Sequence, residues 1–261
     1  MSALRFDEKA GQRWHCLFPG VEMTLYTGCS GFHYREWKGI FYPEDLPQKS
    51  WLAYYATRFN TLELNNTFYR FPTEASLAKW HRDTPEDFHF VVKAPKLFTH
   101  LKKMQDVESE LAEFYRITAG ALGEKMKCIL FQFAASVHYS PAFLETILRV
   151  CNGGALHAFE FRHESWWQPA AWEALQGTGH IFCNVSFPGL PDVFVPDAQH
   201  QYLRFHGKPV LYKSGYGAEG LAWWIEQIEA TPPSVVFALF NNTWYGEAIK
   251  DAEMWRAKLA V

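Results

Sequence analysis

Eight short apolar runs, each ending in polar or charged residues, recur along this chain: LYTGCS (25–30), TLELNN (61–66), FHFVVKAP (88–95), CILFQF (128–133), HAFEFRHESWW (157–167), HIFCNV (180–185), QYLRFHG (201–207) and VVFALFNN (235–242). Between them the sequence is mostly helix-like. Eight strand–helix units in 261 residues predict an α/β fold, a single TIM-type (β/α)8 barrel. In that architecture the carboxyl ends of the strands form the mouth where chemistry is done. Pro47 opens a stretch in which Trp51, Leu52, Tyr55 and Phe59 fall at helical spacing. Thr73 is expected to cap a helix carrying Leu77 and Trp80, and Asp106 one carrying Leu111, Phe114 and Ile117. Ser140–Pro141 reads as the cap and first residue of a helix with Leu144, Ile147, Leu148 and Cys151 on its apolar face. Leu221, Trp224, Ile225 and Ile228, then Ile249, Met254 and Trp255, predict two more. Pro188, Pro191 and Pro196 fall within 186–200, so an irregular segment is expected in place of the sixth helix. Residues 1–22 are expected to be an N-terminal extension packed on the outside of one domain spanning 23–261.

Strands buried on both faces normally read as continuous apolar runs. Several strands here alternate instead. With a period of two, Thr61, Glu63 and Asn65 face the barrel axis while Leu62 and Leu64 face the helices. The same parity turns Glu160 and Arg162 inward from Phe159 and Phe161, and Tyr202, Arg204 and His206 inward from Leu203 and Phe205. Lys93, Gln132 and Asn241 end three further strands. Unpaired charges inside a barrel are very costly, so these groups are expected to neutralise one another at least in part. A core built for stability alone would do as well with packed hydrophobes. Five charged residues on four strands at the catalytic end therefore point to a functional site.

Composition narrows the classes. The net charge of −3 gives no global basic field, which disfavours non-specific nucleic-acid binding. No run approaches the roughly 20 apolar residues of a membrane span, and residues 1–22 carry charges where a signal peptide would be apolar. Cys16, Cys29, Cys128, Cys151 and Cys183 form no CxxC pair, so buried reduced thiols in a cytoplasmic protein are expected. At the mouth, Lys93, Arg162 and Arg204 outnumber Glu63 and Glu160, which favours an enzyme whose substrate is an anionic small molecule, phosphorylated ones included.

The expected roles follow. Arg162, Arg204 and Lys93 bind and stabilise negative charge, Glu63 or Glu160 acts as general base or acid, and His206 is an alternate proton carrier. Lys93 would serve as a Schiff-base nucleophile only with a depressed pKa, electrostatic anchoring being the commoner use. Tyr69, Trp37 and Trp166 are expected to wall the pocket, while Trp167 packs on the barrel. HGKPVLYKSGYG (206–217) and NN (241–242) occupy the loops after strands seven and eight, a recurrent phosphate site of this fold, with Gly207 and Tyr216 as candidate contacts. His15, His81, His89, His138, His180 and His200 are read as surface or packing residues. No cofactor is expected. The alternative enzyme is a metal-dependent phosphodiesterase or nuclease-like protein, with Glu63, Glu160, His206 and His163 as ligands of a divalent ion. A sensor that binds an anionic metabolite without catalysis is the other alternative.

The segments TGCSGFHYREWKGIFYP, FNTLELNNTFYRFP, FHFVVKAPKLFTH, LFQF, FEFRHESWW, YLRFHG and FNN, in that order, resemble the YecE-like family, domain of unknown function 72. The resemblance runs from residue 24 onward and implies a TIM-type barrel with no established activity. The chain departs from the family pattern at FQFAAS (131–136), where FQLPP is common, and at CNVS (183–186), where many members carry an Asp. The second departure leaves the sixth strand without that acidic candidate.

Overall fold

The computed structural model describes residues 15–18 and 21–259. Each predicted run supplies one barrel strand: β2 (Val21–Ser30), β3 (Thr61–Leu64), β4 (His89–Lys93), β5 (Met126–Gln132), β6 (His157–Glu160), β7 (His180–Ser186), β8 (His200–Phe205) and β9 (Val235–Phe240). They pair in parallel in chain order, and β2 pairs with β9 to close the barrel. Of the expected N-terminal extension, residues 1–14, 19 and 20 lie outside the described residues. The remainder forms β1 (His15–Phe18), antiparallel to the start of β2. Strand β3 is short and meets β2 only at Gly28–Ser30. The Asn60 side chain fills the gap below it, donating to Leu25 O at 2.9 Å and accepting from Thr27 N at 3.2 Å.

Helices α1 (Trp51–Ala56), α2 (Asn66–Tyr69), α3 (Glu74–Arg82), α4 (Glu108–Leu122), α5 (Pro141–Val150), α6 (Pro169–Glu173), α7 (Gly217–Ala230) and α8 (Glu247–Leu259) fall between and after the strands. Thr73 and Ser140 cap α3 and α5 through their hydroxyls, satisfying backbone N–H groups of Ser76 and Phe143. Asp106 does not cap α4. Val107 stands at that position, and Asp106 adopts φ 48° with its carbonyl accepting from Lys102 Nζ. Helix α1 ends at Ala56, so Phe59 is buried from beyond it.

No helix forms between β7 and β8. The three prolines prevent one, and Asn184 ties the segment down instead: its amide accepts from Val195 N at 2.7 Å and donates to Val195 O at 3.0 Å. Two apolar layers result from the strand alternation. Leu62, Leu64, Phe159, Phe161, Leu203 and Phe205 pack outward against helices, whereas Val91, Leu130, Ala158, Ile181, Cys183 and Leu239 fill the barrel interior. Among the described residues, Cys29, Cys128, Cys151 and Cys183 are buried free thiols, and no helix is long and apolar enough to cross a membrane.

Gly28 marks the tightest approach in the barrel. A Cβ there would fall 1.8 Å from Thr61 O and 2.7 Å from the Tyr55 hydroxyl, which bridges Cys29 N and Thr61 O. Gly28→Ala is therefore expected to cost about 1–3 kcal/mol or more through overpacking. Urea denaturation measures it, and unchanged stability would mean that β2 and β3 can separate freely.

Candidate functional site at the barrel mouth

The inward positions of β3, β6 and β8 meet in one buried ionic layer. Arg204 grips Glu63 with Nε and Nη2, at 2.9 and 2.6 Å, and Tyr202 Oη donates to the same carboxylate at 2.8 Å. Through Nη1, Arg204 also donates to Glu160, whose other oxygen accepts from Arg162 Nε. Arg162 Nη2 and Arg204 Nη1 lie 3.1 and 3.3 Å from His206 Nε2, and the Asn241 amide lies 2.9 Å from Nδ1. Glu63, Glu160, Arg204 and His206 are all at most 1% exposed.

Two guanidinium groups thus balance two carboxylates. Burial alone would raise the Glu160 pKa, but Arg162 and Arg204 outweigh it and hold that carboxyl well below the usual range. His206 is driven the opposite way from a proton carrier: burial and the same two cations push its pKa well down. Arginine can only donate, so Nε2, which faces both guanidinium groups, accepts, and Asn241 Nδ2 lies 2.9 Å from Nδ1 on the other side of the ring. In this arrangement His206 faces two guanidinium donors as an acceptor, where a proton carrier was expected from sequence.

Lys93 stands outside this balance. It is 9% exposed, and among the described residues its amine makes neither a hydrogen bond nor an ion pair. Its Nζ lies 4.1 Å from the centroid of the Phe68 ring. Burial and the neighbouring Arg204 lower its pKa to about 7, against the partial pull of Glu160 and Glu63. The expected net positive mouth is therefore conditional: the surplus charge is the proton on Lys93.

Arg162, with 11% of its side chain exposed, is the other cation that reaches the surface of the layer. Its guanidinium stacks on Phe187 at 4.0 Å. Each of the two accessible cations is thus backed by a phenylalanine, and neither Phe68 nor Phe187 was singled out in the sequence. The expected aromatic walls lie elsewhere. Trp166 is fully buried, stacked on Phe161 at 3.7 Å with its indole N–H on Val137 O, and Trp37 is equally buried. Tyr69 is 74% exposed at the rim of α2. Gln132 is half-buried and donates to Phe133 O. Asn65 Oδ1 is buried without a hydrogen-bond partner among the described residues, and Asn65 borders a flanking cavity of about 430 Å3 together with Glu63, His33 and Trp80.

The loop after β8 does not offer the expected phosphate cradle. Gly207 N donates to the Tyr216 hydroxyl at 2.9 Å, and that hydroxyl donates to Ser186 Oγ at 2.8 Å. The backbone N–H groups of Tyr216 and Gly217 are taken by the Asp251 carboxylate. The backbone donors that suit an anion are thus taken by the Tyr216 hydroxyl and by a carboxylate of α8. His163, a candidate metal ligand, stacks on His138 at 3.7 Å and hydrogen-bonds Ser165. Among the described residues, no group of three or more His, Cys, Asp or Glu side chains is placed to hold a metal ion.

Residues 26–261 match the family model described as "Protein of unknown function DUF72". The chain belongs to the DUF72 family. Among its DUF72 and UPF0759 relatives, UPF0759 protein YunF of Bacillus subtilis (strain 168) is 27% identical, with 86% of this chain and 90% of that one covered. A DUF72 family protein from Thermotoga maritima MSB8 superposes with a TM-score of 0.81 at 30% identity, covering 91% of this chain and 99% of that one. A second DUF72 structure, from Enterococcus faecalis V583, shares the fold at a TM-score of 0.72 and 18% identity, covering 91% of this chain and 95% of that one.

Proposed function

We propose that this DUF72 barrel is an enzyme acting on a small anionic molecule, held at the mouth by Arg162 and Lys93. One observation carries the reading: in a layer whose carboxylates and guanidinium groups already balance, Lys93 is a buried cation site with no carboxylate of its own among the described residues. An incoming carboxylate or phosphate supplies the missing partner. Arg162 offers the remaining donors of its fork beside it. Glu63 and Glu160 then act as fixed anchors that aim Arg204 and Arg162, and proton transfer falls to Lys93. The metal-dependent phosphodiesterase reading has weaker support, because both carboxylates are engaged by guanidinium groups and His163 is turned to His138 and Ser165.

Inorganic phosphate, and then a library of anionic metabolites, is expected to raise the melting temperature by mass action. A ligand at 100 times its Kd stabilises by about 2.7 kcal/mol. Arg162→Met is expected to remove that response while remaining folded. An undiminished response in Arg162→Met would place the anion site elsewhere.

A further inference from the structure

We propose that Lys93 is a nucleophile, capturing the carbonyl carbon of a small anionic aldehyde or ketone as a protonated imine. This rests on the reading of the mouth as a small-anion site and adds the substrate's second functional group.

Four features of the geometry point to covalent capture rather than simple anchoring. First, Glu63 and Glu160 are both committed to guanidinium groups, so the amine has no carboxylate to keep it protonated. Second, the amine is fixed. The Thr67 hydroxyl lies 2.8 Å from Leu64 O and 2.6 Å from Lys93 O, stapling α2 across the ends of β3 and β4. That staple sets Phe68 against the lysine, with the ring 4.1 Å from Nζ. Third, His100 packs edge-on against the same ring at 5.0 Å, and its own pKa is lowered by burial and then by the charge of Lys93. It is a neutral imidazole on the lysine's side of the mouth, so it adds no charge that would hold the amine protonated. Fourth, Arg162 provides the anchor for the substrate's anionic group.

The chemistry balances without any oxidant or reductant. The amine lone pair forms the C–N bond as the carbonyl π pair moves to oxygen, which takes a proton. The nitrogen gives up a proton, the hydroxyl leaves as water after accepting one, and the nitrogen lone pair closes the C=N bond. In sum, one amine, one carbonyl and one proton give one protonated imine and one water. Solvent at the mouth carries the proton from nitrogen to the departing oxygen. With its pKa near 7, Lys93 presents roughly half its amine unprotonated at neutral pH, against about 0.04% for an ordinary lysine. The Phe68 ring favours the ammonium form, but not enough to offset burial beside two guanidinium groups.

The test treats the full chain with glyoxylate and sodium cyanoborohydride across pH 6–9, then maps modified lysines by peptide mass spectrometry. Lys93 is expected to be labelled at least about tenfold faster at pH 7 than exposed Lys38 and Lys49, with half-maximal rate near pH 7. Arg162→Met, which removes the anchor for the carboxylate, is expected to slow the labelling of Lys93 by glyoxylate while Lys38 and Lys49 are labelled at the wild-type rate. Labelling of Lys93 at the pace of the exposed lysines would overturn the nucleophile. If phosphate still stabilised the protein in that case, the anion site would stand without the imine chemistry. If phosphate also failed, both readings would fall.

Discussion

Arg204→Met is expected to lower the stability of the protein by about 3–5 kcal/mol, the cost of stranding a buried charge by removing its partner. The side chain is fully enclosed and holds both carboxylates of the layer. Removing it leaves Glu63 with the Tyr202 hydroxyl alone and Glu160 with Arg162 and a neutral His206. Glu63 is then a buried carboxylate with no cation in contact among the described residues. The pH dependence distinguishes this from a packing defect. In the wild type, Glu160 has a folded-state pKa below its ordinary value, so its contribution is present above the unfolded pKa and is lost as pH falls through the folded one. In Arg204→Met the carboxyl pKa rises, so protonation relieves the strain at mildly acidic pH. The deficit should be largest near neutrality and shrink as pH falls towards the ordinary carboxylate range. Urea denaturation at several pH values reads both. A deficit that is constant with pH would mean that lost packing, not stranded charge, dominates.

The members of this layer were legible because strand alternation has a strict period of two. Once Leu62 and Leu203 face helices, Glu63 and Arg204 must face the axis. Their partnership was not legible, since Arg204 and Glu63 are 141 residues apart and meet only through barrel closure. Sequence could not show that Arg204 would divide itself between two carboxylates and leave Lys93 without one, because that outcome depends on competition among several groups in three dimensions. The loop after β8 misled for a related reason. Its glycines and backbone donors suit an anion, but Asp251 and Tyr216 consume them, and Asp251 belongs to α8. Trp166 misled through adjacency. It follows Arg162 closely in sequence, yet a short helical turn carries it onto Phe161 and away from the mouth. Phe187 takes up the aromatic role instead, from the proline-rich connection that replaces a helix. The apolar spacing that marks a helix gives no comparable signal for a single ring in an irregular segment.

The second large effect is expected at Lys93, and its sign is opposite to that of an ordinary ion pair. Lys93→Met keeps the length of the stem against Phe68 and removes the buried charge, so the variant should be more stable than wild type near pH 6. Below pH 7 the amine is protonated in both folded and unfolded protein, and the full cost of burying the ammonium is present. Above pH 7 the folded protein sheds that proton, while the unfolded chain holds it until its ordinary pKa near 10.5. The unfolded state then binds more protons, so wild-type stability gains up to about 1.4 kcal/mol per pH unit from this one group. The advantage of Lys93→Met should therefore decline by about 2–3 kcal/mol between pH 7 and pH 9. Denaturation of both proteins in parallel cancels the titration of other lysines and tyrosines. Saturating phosphate should flatten the difference, because an anion beside the amine restores the charged form and shifts its titration upward. A difference that does not change with pH would mean that Lys93 stays protonated throughout. The amine would then be an anchor for anions, and the imine chemistry would lose the free lone pair it requires.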